Sequence, residues 1–375
     1  MSTKKSDIKE LKNRLTKDLC TFTRVAGCYV NAQKEKITTF SKDFLGLEDE
    51  EFFKYLDIAK KSLTGTVGNN LMQLTMSDKA IQKSMLGLKD NGLKSENMLD
   101  ALYDKIIENY NSAGNFLILL FHDAYDVMTK AADNTTLEDS DEVYTYVLCA
   151  ICPVELTKPA LSYQEDKNDI APCIRDWVVK PPVNGFLYPA FDERSTDVDS
   201  FVFFRKKPKE PQTELLENVL GCVEEKKTLD EKHEILAEIA VENTNDEGMA
   251  YELQKVLVDK LWDYDKDDKF TEGVLEDIAR EAGADSEQIA NMVKEYRDKM
   301  PENDTPIADM CDGKLIKSCQ KKAAEKVQRL IDENDVVVLA NDALAVTRRE
   351  IDGKDYFLVP AELRVEIKNV SSLSE

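Results

Sequence analysis

FLILLFHDAYDV (residues 116–127), YTYVLCAICPV (residues 144–154) and GFLYPAFDERSTD (residues 185–197) are three apolar runs that each end in charged and aromatic residues. An uninterrupted apolar run suits a strand buried on both faces, because successive side chains of a strand point to opposite sides. If the three are neighbours in one sheet, the polar groups at their ends are held at the rim of its core, where a site is expected. The candidates are His122, Asp123, Tyr125 and Asp126, then Arg175 and Asp176 before Trp177, then Asp192, Glu193, Arg194, Ser195, Thr196 and Asp197.

Two readings compete for that cluster. In the first, His122, Asp123, Asp126, Asp192 and Asp197 converge, with an Asp–His pair as general base or the carboxylates holding a divalent metal such as Mg²⁺, to attack a phosphoester. In the second, Arg175 and Arg194 neutralise Asp123, Asp126 or Asp192 in an ordinary ion-pair network. The second is preferred, since no spacing names a nucleophile or a full ligand set.

Outward from these runs the chain divides. KKPKEPQT (residues 206–213) carries Pro208 and Pro211, which each remove a backbone donor, and places a domain boundary near residue 210. Residues 1–210 read as a mixed domain. Asp7 and Glu10 suggest a capping box opening a helix to about Lys17, residues 22–31 and 37–40 a hairpin, and residues 48–63 and 96–110 two amphipathic helices covering the sheet. Residues 211–375 read as largely helical (213–221, 230–241, 248–262, 271–282, 286–299 and 315–333). They close on VVVLA, ALAVTRREI and YFLVPA, with Asp352-Gly353 as a hairpin turn between the last two. The fold class is α+β.

The length of 375 residues and 42% hydrophobic content support about two domains with sizeable cores. The net charge of −23 is uneven: residues 1–210 hold 28 Lys and Arg against 33 Asp and Glu, and the remainder 22 against 40. An acidic second half repels phosphate backbones and anionic membranes, so nucleic-acid contact must come from the first half or through a partner. No apolar run approaches a bilayer span, and MSTKKSDIKE lacks a signal's apolar core, so a cytoplasmic protein is expected. Eight scattered cysteines suit reduced core thiols.

Other motifs are incomplete. In WDYDKDDKFTEGV (residues 262–274) the glycine and glutamate positions of a calcium loop hold Asp268 and Val274. Cys149 and Cys152 form a CxxC inside a strand pattern, where they face opposite sides. SLTGTVGNN (residues 62–70), after Lys60 and Lys61, lacks the lysine and context of a phosphate loop, and a helix C-cap at Gly65 accounts for it. His233, in an acidic helical stretch, reads as a surface residue. Lys4, Lys5, Lys9, Lys12, Arg14 and Lys17 fall around more than one side of the first helix, as on a solvated helix.

The strings CTFTRVAGCYV, FFKYLDIAKKSLTGTVGNNL, IIENYNSAGNFLILLFHDAYDV, ICPVELTKPALSY and IRDWVVKPPVNGFLYPAFDERSTD resemble, over nearly the whole chain, a bacterial family known as a domain of unknown function. In element order, from residue 116 onward, the chain is also similar to nucleoid-associated proteins. There a helix ending in a leucine-glycine step, here VLGC (residues 219–222), leads into an acidic helical region and a terminal β hairpin near Glu362-Leu363-Arg364. That similarity implies a cytoplasmic, dimeric protein associated with the chromosome or its enzymes. The expected function is therefore a non-enzymatic, nucleoid-associated-like binding or interaction protein without a cofactor. Its partner is DNA or a DNA-associated protein, and it dimerises through a sheet edge or the helical half. Arg24, Lys60, Lys61, Arg175 and Arg194 are the binding candidates.

Overall fold

The computed structural model of the protein describes residues 4–130, 136–165, 168–173, 175–222, 226–265, 268–301, 303–311, 313, 316–317, 336–340, 347–351, 354–358 and 365–369. The chain forms two compact units, Met1–Thr228 and Leu229–Glu375. The first holds helices α1 (Lys5–Arg14), α2 (Asp49–Ser62), α3 (Lys79–Asp90) and α4 (Glu96–Asn109). Its strands are β1 (Phe22–Val30), β2 (Lys36–Asp43), β3 (Leu71–Thr75), β4 (Phe116–Lys130), β5 (Thr136–Leu156), β6 (Leu161–Gln164), β7 (Asp169–Pro172), β8 (Trp177–Val179), β9 (Asn184–Tyr188), β10 (Ala190–Asp192), β11 (Ser195–Asp197) and β12 (Ser200–Arg205).

An antiparallel sheet in the order β2-β1-β4-β5-β9-β12-β3 carries this unit. The apolar runs fill both of its faces. Phe116, Ile118 and Leu120 of β4 join one buried cluster with Met85 and Leu88 of α3 and Leu102 and Ile106 of α4. Leu117, Leu119 and Phe121 join another with Leu11 of α1 and Phe52 and Leu56 of α2. The two amphipathic helices expected to cover the sheet do so, from opposite sides. Because a helix lies over each face, no position of the central strands has to be polar, which is why they read as continuous apolar runs. Where β9 crosses β5 the backbones come so close that a Cβ on Gly185 would fall on the Cys149 carbonyl oxygen.

Several expectations hold in detail. The hairpin is β1–β2, paired antiparallel. Cys149 and Cys152 are buried free thiols in different clusters, one on each face of the sheet. Others need correction. The first helix ends at Arg14, not Lys17; Asp7 is its third residue, not its cap, and takes the Lys4 backbone N–H at 3.1 Å. The run at residues 185–197 is not one strand: Pro189, with no N–H to give a ladder, separates β9 from the β10–β11 hairpin. The boundary falls after Thr228 instead of near 210, because the turn Leu215–Val219 packs Leu215, Leu216 and Val219 into the α3–α4 side of the first core. At the end of β5 the chain leaves the sheet as a two-stranded ribbon. Val154–Leu156 pair with β8, and β6 with β7, in one continuous register.

In the second unit α5 (Leu229–Thr244), α6 (Met249–Asp259), α7 (Glu272–Glu281) and α8 (Ser286–Lys299) surround Leu236, Ile239, Leu253, Leu257, Phe270, Ile278 and Met292. Strand β13 (Val336–Ala340) pairs with β16 (Val365–Asn369), and β14 (Thr347–Ile351) with β15 (Lys354–Leu358). The Asp352-Gly353 turn, Glu362-Leu363-Arg364 and nearly all of the helix expected at 315–333 lie outside the described residues. The molecule is a mixed α+β protein.

Candidate functional site

His122 and Asp123 sit in the middle of the sheet's width and are 7% and 2% exposed. Being adjacent in one strand they point to opposite faces. Asp123 lies opposite Tyr146, on the α1–α2 side, and its Oδ2 accepts the Tyr146 hydroxyl at 2.8 Å. Its Oδ1 is buried with no hydrogen-bond partner among the described residues. Burial pushes this carboxyl above the ordinary range, against the lowering effect of the Thr21 and Tyr146 hydroxyls and the Arg14 charge.

His122 lies opposite Val147, on the α3–α4 side. A bulge in β1 sets Phe22 opposite Asp123 and Arg24 opposite His122, leaving Thr23 as the extra residue. The Thr23 hydroxyl and His122 Nδ1 share a hydrogen bond of 2.6 Å, while Nε2 is buried without one among the described residues. Burial lowers the pKa of this imidazole, and the charges of Lys89 and Lys94 add to the effect. A histidine whose folded pKa lies below its unfolded value takes its proton more readily when unfolded, so its contribution to stability falls as pH drops through about 6.5 and below. His122→Gln is expected to flatten the fall in melting temperature between pH 7.5 and 5.5. An unchanged slope in the variant would remove His122 from that account.

The remaining strand-end groups close α1 onto the sheet. Arg194, in the β10–β11 turn, holds both oxygens of Glu10 at 3.0–3.2 Å, and Glu10 Oε1 also accepts the Tyr125 hydroxyl at 2.5 Å. The Arg14 guanidinium lies 3.9 Å from the centre of the Tyr125 ring and donates to the Thr21 hydroxyl at 3.1 Å. Asp7, on the same helix, accepts the Glu193 N–H at 3.3 Å; burial raises its pKa, and the charges of Asp192 and Glu10 raise it further. Arg194 has Glu10 as its carboxylate partner, not Asp123, Asp126 or Asp192 as the ion-pair reading of the strand ends expects. A residue 184 positions away leaves no local signal in sequence.

The five residues of the catalytic reading do not form one constellation. Asp126 is exposed, and it is four strand residues, about 13 Å, from His122. Asp192 belongs to the α1 side with Asp7, and Asp197 accepts from Gln73 of β3 at 3.1 Å. Among the described residues no three His, Cys, Asp or Glu side chains are grouped to hold a metal ion.

A family model described as a domain of unknown function, DUF4317, matches residues 3–370. The chain belongs to the DUF4317 family. No curated protein and no solved structure matches it.

The basic candidates of this DUF4317 chain are mostly tied to its own groups. Arg24 pairs with Asp43 at 2.6 Å and donates to Ser41, Lys61 pairs with Asp57 at 2.6 Å, and Arg194 is held by Glu10. Arg175 donates to the Thr157 carbonyl at 2.9 Å, and Lys60 is half-buried in the last turn of α2. The glycine loop after α2 is closed by Asn70, whose side-chain Oδ1 accepts the Thr66 N–H and whose Nδ2 donates to the carbonyls of Arg205 and Lys206. In the acidic loop Asp268 accepts the Asp265 N–H at 2.8 Å, and Asp267 lies outside the described residues. His233 of the DUF4317 chain is within 2.9 Å of the Asp309 carbonyl, half-buried rather than on the surface. No helix among the described residues is long and apolar enough to cross a membrane.

Proposed function

We propose that this chain is a non-enzymatic, cytoplasmic interaction protein of the nucleoid-associated type, which meets the chromosome through DNA-bound protein. The supporting observation is the use made of the strand-end cluster: Glu10, Arg14, Tyr125 and Arg194 satisfy one another and fasten α1, while His122 and Asp123 face opposite layers. Groups spent on closing a fold do not converge on a substrate. Arg24, Lys61 and Arg194 are each paired with a carboxylate, which reduces what these three candidates offer to counterion-releasing contacts with a duplex. The second half is read as an acidic helical domain closing on a hairpin, a surface for basic partners.

The test is sedimentation of purified protein with isolated nucleoids and, in parallel, with deproteinised chromosomal DNA at low and moderate salt, with and without Mg²⁺. Co-sedimentation with nucleoids alone is expected. Salt-sensitive binding to bare DNA would replace recruitment by direct contact. Mg²⁺-dependent cleavage lost in His122→Ala would return the phosphoesterase reading, and absence from both pellets would sink the proposal.

A further inference from the structure

Thr23, the extra residue of the β1 bulge, is exposed, while its hydroxyl lies 2.6 Å from Nδ1 of the buried His122. With the ring proton on Nε2, Nδ1 accepts that hydroxyl, which is the arrangement of a nucleophile and its general base. Bulges re-aim side chains in this way and gather beside active sites. Lys89, near the end of α3, brings up its carbonyl, which favours a proton on the ring, and its ammonium, which opposes one; Lys94 opposes one too, and Asp123 of the same strand favours one. Burial is the largest influence and lowers the pKa, so the imidazole is neutral near pH 7 and able to take a proton. Lys89 is paired with Asp90 at 2.7 Å, but Lys94 is exposed and makes no ion pair among the described residues. Gly92, at φ +66°, passes over the ring: a Cβ there would lie 3.8 Å from His122 Nδ1 and 3.9 Å from Lys94 Cε. Lys94 is thereby brought beside the ring nitrogen that holds the Thr23 hydroxyl.

We propose that Thr23 is an acyl-acceptor site, with His122 as its general base and Lys94 holding the anionic end of the donor, a small acyl phosphate. Thr23 Oγ1 forms a bond to the donor's carbonyl carbon as its proton passes to His122 Nδ1. The bond from that carbon to the phosphate oxygen then breaks, and inorganic phosphate leaves with the proton. Thr23 ends as an ester, and nothing is oxidised or reduced. Attack at carbon is preferred to attack at phosphorus because one base and one unpaired cation suit a reaction in which charge develops on a single carbonyl oxygen. A transferred phosphoryl group spreads its charge over three oxygens and calls for several cations or metal ions. The inference goes beyond the interaction reading and does not depend on it. One acyl group per chain is a modification without turnover, and the sedimentation result with nucleoids stands whichever way Thr23 behaves.

Incubation of the full chain with acetyl phosphate, followed by intact mass and peptide mapping, tests it. One acetyl group on Thr23 is expected, removed by hydroxylamine, which cleaves the ester and spares acetyl-lysine. Thr23→Val should abolish it and Thr23→Ser retain it. His122→Gln is expected to slow the reaction by about a hundredfold or more. Because His122 is buried and that variant can lose stability, the pH profile of the unaltered protein is the second measure: the rate should fall below about pH 6.5 as the imidazole takes a proton. Lys94→Gln should raise the acetyl phosphate concentration for half-maximal rate several-fold and leave the rate with neutral p-nitrophenyl acetate unchanged. Acetylation confined to lysines, a phosphoryl group on Thr23, or a rate indifferent both to His122→Gln and to acidification overturns the proposal. An equal response of the two donors to Lys94→Gln overturns it as well.

Discussion

Phe121→Ala is expected to destabilise the first unit by about 3–5 kcal/mol, the usual cost of removing a buried aromatic ring and leaving a cavity. Phe121 is fully buried in β4, stacked on Phe22 at 5.3 Å between ring centres and meeting the edges of Phe44 and Tyr55 at 6.1 and 6.2 Å. Those partners come from β1, the turn Phe44–Gly46 and α2, so one truncation loosens the helix layer from the sheet. The two units need not unfold together, and hydrogen exchange of the β4 and β5 amides reads the first one separately. A loss below about 1 kcal/mol would mean that the ring cluster does not organise this face.

Tyr146→Phe should cost about 2 kcal/mol near neutral pH, because it removes the hydroxyl that donates to Asp123 Oδ2 from a carboxyl whose Oδ1 already has no hydrogen-bond partner among the described residues. The size of the effect depends on pH with a definite sign. Burial already raises the folded pKa of Asp123, and the Tyr146 hydroxyl opposes that rise. Without the hydroxyl the folded pKa rises further, so the variant's penalty is greatest where Asp123 is ionised and shrinks as pH falls through the folded pKa and the carboxyl takes a proton. Melting temperatures of the two proteins should therefore converge between pH 7.5 and 4.5. A gap that stays constant over that range would show that Tyr146 acts by packing alone. The outcome bears on function as well, since a carboxylate maintained for structural reasons is free to be replaced by asparagine without loss of any interaction with partners.

The elements that were legible are those with a strong local period. Helices α2 and α4 could be placed to within a residue or two from Phe52, Leu56 and Ile58 and from Leu99, Leu102 and Ile106, whose spacing leaves one apolar stripe. The central strands were legible because they are apolar throughout. Short elements were missed where the period had no room to show. LMQLT of β3 is five residues long, and the hairpin β6–β7 exposes Leu161 and Ile170, so its apolar residues signal neither a core strand nor a turn. Helix α3, Lys79–Asp90, went unread although Asp78 caps it, accepting from Ala80 and Ile81.

The sequence by itself determined that a two-sided core sheet exists, that Cys149 and Cys152 face apart, and that the acidity lies in the second half. Each of these depends on neighbours along the chain: two-residue alternation of side chains, runs of one polarity, and a sum of charges. Which polar groups meet was decided only by tertiary structure. Glu10 finds Arg194 and Tyr125 across more than a hundred residues, Tyr146 finds Asp123 through a strand pairing, and a one-residue bulge at Thr23 gives His122 its partner. Hydrogen bonds of this kind act over about 3 Å, a distance fixed by register and layer packing and invisible to any local pattern of residues.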